Sequence, residues 1–182
     1  RLRDAAGRQV EHVEIPVEAR APVSPRVLVL AGAPSAETKY LRRWAQDAGI
    51  ALNLEVSLGG GVQLGDAPVA LTRATLDAVD LLVIDDRRWE SLDRQDRAAI
   101  EGAVRGGLGL VLRPSGPLSD AVRRDWAMLG LPTAEADGLR AVRLNGPNSD
   151  VNRHDILPTT SGGVPLAVTK DGQPLAAWRA RG

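Results

Sequence analysis

The sequence predicts an α/β fold, an open and mostly parallel sheet with helices on both faces. Three observations predict it. Short runs rich in Val and Leu recur at 27–31, 81–85 and 108–112, and continuous apolar runs of that length suit strands buried on both faces. Each run breaks at a cluster of Gly, Pro, Ser or Asp, and a stretch with helical spacing follows. Strand and helix alternating through short connections make a parallel sheet with its faces covered.

The elements follow in order. In residues 1–22, Val13, Ile15 and Val17 alternate with polar neighbours, the period of a half-buried strand. Ala6-Gly7 offers a hairpin turn before it, and Ala21-Pro22-Val23-Ser24-Pro25 reads as a short stiff linker. Residues 1–22 are therefore either the last strands of a preceding β-domain or an added edge strand, and the α/β domain spans 23–182. Arg26–Ala31 is the first strand. A helix over 36–48 places Tyr40, Leu41, Trp44 and Ala48 on one face. Residues 51–56 alternate like an edge strand, and Gly59-Gly60-Gly61 opens a surface loop reaching Pro68. No helix start follows that glycine run, so it lacks the form of a phosphate loop.

Thr72–Val79 reads as a short helix, and 80–86 as the central strand, ending in Asp85 and Asp86. Ser91 is the expected cap of a helix over 92–105, with Asp93 in its first turn. Leu108–Arg113 is the next buried strand, broken at Pro114-Ser115-Gly116-Pro117. Ser119 opens a helix carrying Val122, Trp126 and Leu129 on one side. Leu139–Leu144 is a strand. Residues 164–169 and 174–179 form a hairpin about Asp171-Gly172.

Composition narrows the functional classes. Lys+Arg and Asp+Glu both number 23, the net charge is zero, and no basic stripe suggests a nucleic acid partner. There is no Cys, which removes a disulfide framework, a thiolate nucleophile and a Cys-held metal. His12 and His154 lie far apart. No metal or cofactor is expected. No apolar run approaches the ~20 residues of a membrane span.

By analogy with flavodoxin-like sheets, the expected strand order is 2-1-3-4, with any ligand outside the carboxyl ends of the strands. That places Gly32, Ser35, Asp85, Asp86, Arg113 and Ser115 along one rim. The stretches Val27–Trp44, Leu81–Asp86 and Gly106–Pro117, with the closing Gln173–Gly182, resemble the class I glutamine amidotransferase-like domains of large bacterial membrane proteins. Those proteins often also carry von Willebrand A-type domains. The resemblance covers 26–182 and implies a C-terminally truncated α/β domain of a membrane-anchored parent. It implies a place on either side of the membrane, the periplasmic side included.

Active members of that family need a Cys at a sharp strand-to-helix turn, then a His and a carboxylate two residues apart. The matching turn here is Arg113-Pro114-Ser115-Gly116, and His154-Asp155-Ile156 carries Ile at the carboxylate position. The resemblance thus implies a non-catalytic interaction or scaffolding domain, whose partner is another protein or another domain of the parent. Two other readings stand beside it. One is a small-ligand sensor at the rim. The other is a hydrolase with Ser115 as nucleophile, His154 as base and Asp85 or Asp86 as orienting group. The nucleophile-elbow pattern is absent from 113–117, so Ser115 is first a turn residue. For the Asp pair, the plain expectation is that one faces solvent and the other caps a turn or pairs with Arg87 or Arg88. Glu37, Lys39, Arg42 and Arg43 read as a solvated helix face with local ion pairs. Trp89 is the expected partner-facing aromatic.

Overall fold

The structure is a computed structural model that describes residues 2–3, 5–11, 23–134, 140–144, 150–153, 163–169, 172 and 174–180. The chain runs β1 (Leu2–Arg3), β2 (Gln9–Glu11), β3 (Arg26–Ala31), α1 (Ala36–Asp47), β4 (Ala51–Gly59), β5 (Val62–Gly65) and α2 (Arg73–Asp77). It continues β6 (Leu81–Asp85), α3 (Asp86–Ser91), α4 (Arg94–Arg105), β7 (Gly109–Arg113) and α5 (Asp120–Met128). Four strands follow: β8 (Arg140–Leu144), β9 (Asp150–Arg153), β10 (Val164–Thr169) and β11 (Pro174–Trp178).

The main sheet has five strands in the order β5-β4-β3-β6-β7. The pairs β3–β4, β3–β6 and β6–β7 are parallel. The four parallel strands stand in the expected 2-1-3-4 order. A second sheet orders β11-β10-β8-β9, with β10 and β11 forming the expected hairpin, and β1 and β2 make a two-stranded antiparallel pair. The predicted strand over 13–17 lies outside the described residues.

The period of two along each strand sorts the core into two clusters. Leu28, Leu30, Leu82 and Ile84 face one side, where Leu76 of α2, Trp89 of α3, Ile100 and Val104 of α4, and Val122 and Trp126 of α5 meet them. Val29, Ala31, Leu54 and Val56 face the other side with Leu41 of α1 and Val83. Each fully buried aliphatic side chain contributes about 1.5–3 kcal/mol. Helices thus cover both faces, but unevenly. α2 to α5 pack on one face, and among the described helices only α1 packs on the other.

Several local expectations are corrected. Residues 51–56 do not form an edge, because β5 pairs antiparallel outside β4. The glycine run is a hairpin turn rather than a long loop: Gly59, Gly60 and Gly61 all have positive φ, at 80°, 59° and 80°, which glycine adopts without the Cβ penalty. Helix α4 is capped by Asp93, whose side chain accepts the Asp96 N–H, while Ser91 ends α3. β7 is half-buried at the sheet edge, with Val111 43% exposed. On α1 the inward residues are Thr38, Leu41 and Ala45; Tyr40 and Trp44 are exposed. No helix among the described residues is long and apolar enough to cross a membrane.

Candidate functional site

The rim forms where β3, β6 and β7 end. Gly32 follows β3, Asp85 closes β6 and caps α3, Asp86 is the first residue of α3, and Arg113 closes β7. Ser35 caps α1: its Oγ accepts the Thr38 N–H at 3.2 Å, and Thr38 Oγ1 donates to Ser35 O at 2.7 Å. The structure therefore brings the six predicted rim residues to one end of the sheet.

The two carboxylates among them are turned inward, while Ser115 is exposed. Asp85 and Asp86 are both buried, which corrects the expectation that one faces solvent. Asp85 accepts the Gly32 N–H at 3.0 and 2.9 Å through its two oxygens, and the Arg88 N–H at 2.7 Å. One carboxylate thus ties the end of β3 to the start of α3. Asp86 Oδ1 accepts the Ser115 N–H at 2.5 Å, which ties α3 to the turn after β7. Hydrogen bonds to a charged acceptor contribute more than neutral ones. Arg113 forms an ion pair with Glu37 of α1 across the rim. Arg42 binds Asp66 at 2.9 Å. Glu37 and Arg42 of α1 therefore pair with other elements rather than along their own helix.

Helix α3 also packs closely against the chain at the end of β3. A Cβ on Gly32 would lie 2.5 Å from Arg87 Cβ, 2.7 Å from Arg88 N and 2.9 Å from Arg87 C. Gly32→Ala should therefore destabilise the fold by about 1–3 kcal/mol, since backbone must move. A shifted urea midpoint checks this, and an unchanged midpoint would refute the close approach of α3 to β3.

Behind the rim lies a polar cluster that the sequence did not reveal. Glu55 of β4 is buried, and its Oε1 accepts from Arg88 Nη2 at 3.0 Å and from Gln63 Nε2 at 3.2 Å. Its Oε2 accepts the Val69 N–H at 3.3 Å. Close by, burial pushes the Asp96 carboxyl above the ordinary range, and the Asp93 and Glu55 carboxylates push the same way against Arg88. The folded state then holds that proton more tightly than the unfolded chain, so this group lowers stability as pH rises through its titration. Asp96→Asn should remove that slope. It should raise stability at neutral pH by a few tenths of a kcal/mol, because solvent screens a partly exposed site; melting curves at acid and neutral pH check both.

Trp89, the expected partner-facing aromatic, is fully buried. Its Nε1 donates to Asp125 Oδ2 at 3.1 Å, and Arg97 Nη1 holds the same oxygen at 2.9 Å. Exposed aromatics are instead Trp178 of β11 and, on the other face of the main sheet, Tyr40 and Trp44. With Leu41 and Glu37, Tyr40 and Trp44 form one wall of a groove of about 470 Å³, whose floor includes Val29, Ala31 and Val83 and whose far end reaches Asp85 and Arg113. Their i, i+4 spacing on α1 was legible; that they flank the buried face rather than belong to it was not.

The arrangement gives Ser115 no base among the described residues that accepts its hydroxyl, and His154-Asp155-Ile156 lies outside them. No group of three or more His, Cys, Asp or Glu able to hold a metal occurs among the described residues. No family model matches the chain, and no curated protein matches it.

Proposed function

We propose that this is a non-catalytic interaction or scaffolding domain of a larger, membrane-anchored bacterial protein. One observation carries the reading. The rim carboxylates Asp85 and Asp86 are engaged by backbone N–H groups of Gly32, Arg88 and Ser115, while an apolar groove walled by Tyr40 and Trp44 stands open beside them. The resemblance to amidotransferase-like domains without their Cys supports the same reading and supplies the membrane-anchored parent.

The groove is where contact with another domain of the parent belongs. Exposed aromatics beside an apolar floor are the side chains that dominate such contacts. Titrating the domain with the parent's other domains should give binding that Trp44→Ala weakens by about tenfold or more without lowering the melting temperature. Equal affinity in the variant would remove the groove from the contact. Ammonia release from glutamine that Ser115→Ala abolishes would overturn the non-catalytic reading.

A second reading rests on the groove's size, which falls within the ~300–1,000 Å³ of small-molecule sites. A sensor domain would reveal itself in a thermal-shift screen, since a ligand at 100 times its Kd stabilises by about 2.7 kcal/mol.

A further inference from the structure

The two edges of the main sheet are unlike. β5 is a short antiparallel strand, exposed throughout and tied to β4 by the glycine turn. β7 is Gly109-Leu110-Val111-Leu112-Arg113, and it pairs with β6 in an unbroken register from Leu81↔Gly109 to Asp85↔Arg113. It contains no Pro, no bulge and no charge before its last residue. Among the described strands only β6 pairs with it. Proteins blunt free edges with charges, Pro, bulges or very short strands, and an edge without them is a template for another strand.

We propose that β7 pairs antiparallel with β7 of a second copy of this chain, about a two-fold axis at Val111. This rests on the interaction reading above and names one partner for it. A two-fold contact presents the same patch from both copies, so the strand must complement itself, and β7 does. Centred on Val111, Gly109 lies opposite Arg113, Leu110 opposite Leu112, and Val111 opposite its own counterpart. Residues directly opposite share a face. Leu110 and Leu112, which pack into the core of helices α2 to α5, therefore stay on that side in both copies.

A shift of one residue would place Val111 opposite Leu112 and turn the faces against each other, which the two-fold forbids. A shift of two keeps the faces but leaves only three of the five pairs. The centred register also separates the charges. The two Arg113 side chains sit at opposite ends of the paired strands, about 14 Å apart along the strand axis at ~3.4 Å per residue, beyond the ~8 Å over which physiological salt lets exposed charges interact. Pairing covers the exposed flank of Val111 and joins the two sheets into one.

The test uses a charge swap at the axis. Sedimentation equilibrium of the wild-type chain, from micromolar to sub-millimolar concentration, should give a dimer. Val111→Lys and Val111→Glu should each weaken self-association by about tenfold or more, since each places like charges opposite one another. Mixing the two variants in equal amounts should restore the dimer mass, which a misfolded variant cannot do. A monomeric wild type, a dimer indifferent to both substitutions, or a mixture that stays monomeric would each overturn the pairing. None of these results bears on the titration of the parent's domains, so the two readings fail separately.

Discussion

Replacing Arg88 by Met is expected to lower the unfolding free energy by about 3–5 kcal/mol. Glu55 is only 1% exposed and the Arg88 side chain 16%, so water does not replace the lost cation. Gln63 Nε2 and the Val69 N–H remain as partners of Glu55, but both are neutral. Arg88 Nη1 also donates to Ser91 Oγ at 3.1 Å, which holds the last turn of α3. The double variant Arg88→Met/Glu55→Leu should cost less than Arg88→Met alone, because it removes the stranded charge with its partner. Urea unfolding of the three proteins gives the comparison. A single variant as stable as the wild type would mean that the pair does not hold α3 against β4.

Trp89→Ala should have an effect of the same size, about 3–5 kcal/mol, the cost of truncating a fully enclosed aromatic. Two contributions make it up. The indole fills the space among β6, α4 and α5 in the larger core cluster. Its Nε1–H also satisfies Asp125, which otherwise keeps only Arg97. Trp89→Phe separates them, since it keeps most of the volume and loses the hydrogen bond, worth about 1 kcal/mol. Trp44→Ala should barely move the melting temperature. Had Trp89 been a partner-facing residue, the two variants would behave the other way round.

The contrast between these Trp residues shows where a sequence stops being legible. β3 and β6 were visible because a strand buried on both faces must be apolar at every position, and Leu-Leu-Val-Ile admits few other readings; β7 carries the same kind of apolar run, which did not reveal that it stands half-buried at the edge. The order of the parallel strands came from the analogy with flavodoxin-like sheets, not from these runs themselves. Helix α3 was not visible. Asp-Arg-Arg-Trp-Glu-Ser is six residues with a single apolar side chain, too short for a helical period to emerge. Without α3, Trp89 lay in a loop and faced outward. Likewise the glycine run at 59–61 looked like mobile chain, because three glycines permit a loop as readily as the turn they form.

The rim was legible as a place and illegible as chemistry. Two carboxylates at a strand end are a fact of sequence. That Gly32, Arg88 and Ser115 bring backbone N–H groups to them depends on how closely β3, α3 and the turn after β7 approach in space. Glu55 gave no signal at all, since its counter-ion Arg88 lies 33 positions away and becomes a neighbour only when α3 settles on the sheet.

Asp85 and Asp86 tie β3, α3 and the turn after β7 together through backbone N–H groups. The most direct measurement is the unfolding free energy of Asp85→Ala in urea. The variant strips the cap from α3 and leaves the Gly32 and Arg88 N–H groups without their acceptor. Losing a cap costs about 0.5–2 kcal/mol, and a stranded buried donor about 1–3 kcal/mol, so a loss of about 2–4 kcal/mol is predicted. An unchanged or increased stability would contradict a structural role for Asp85, because a carboxylate kept for chemistry at the expense of the fold stabilises the protein when it is removed.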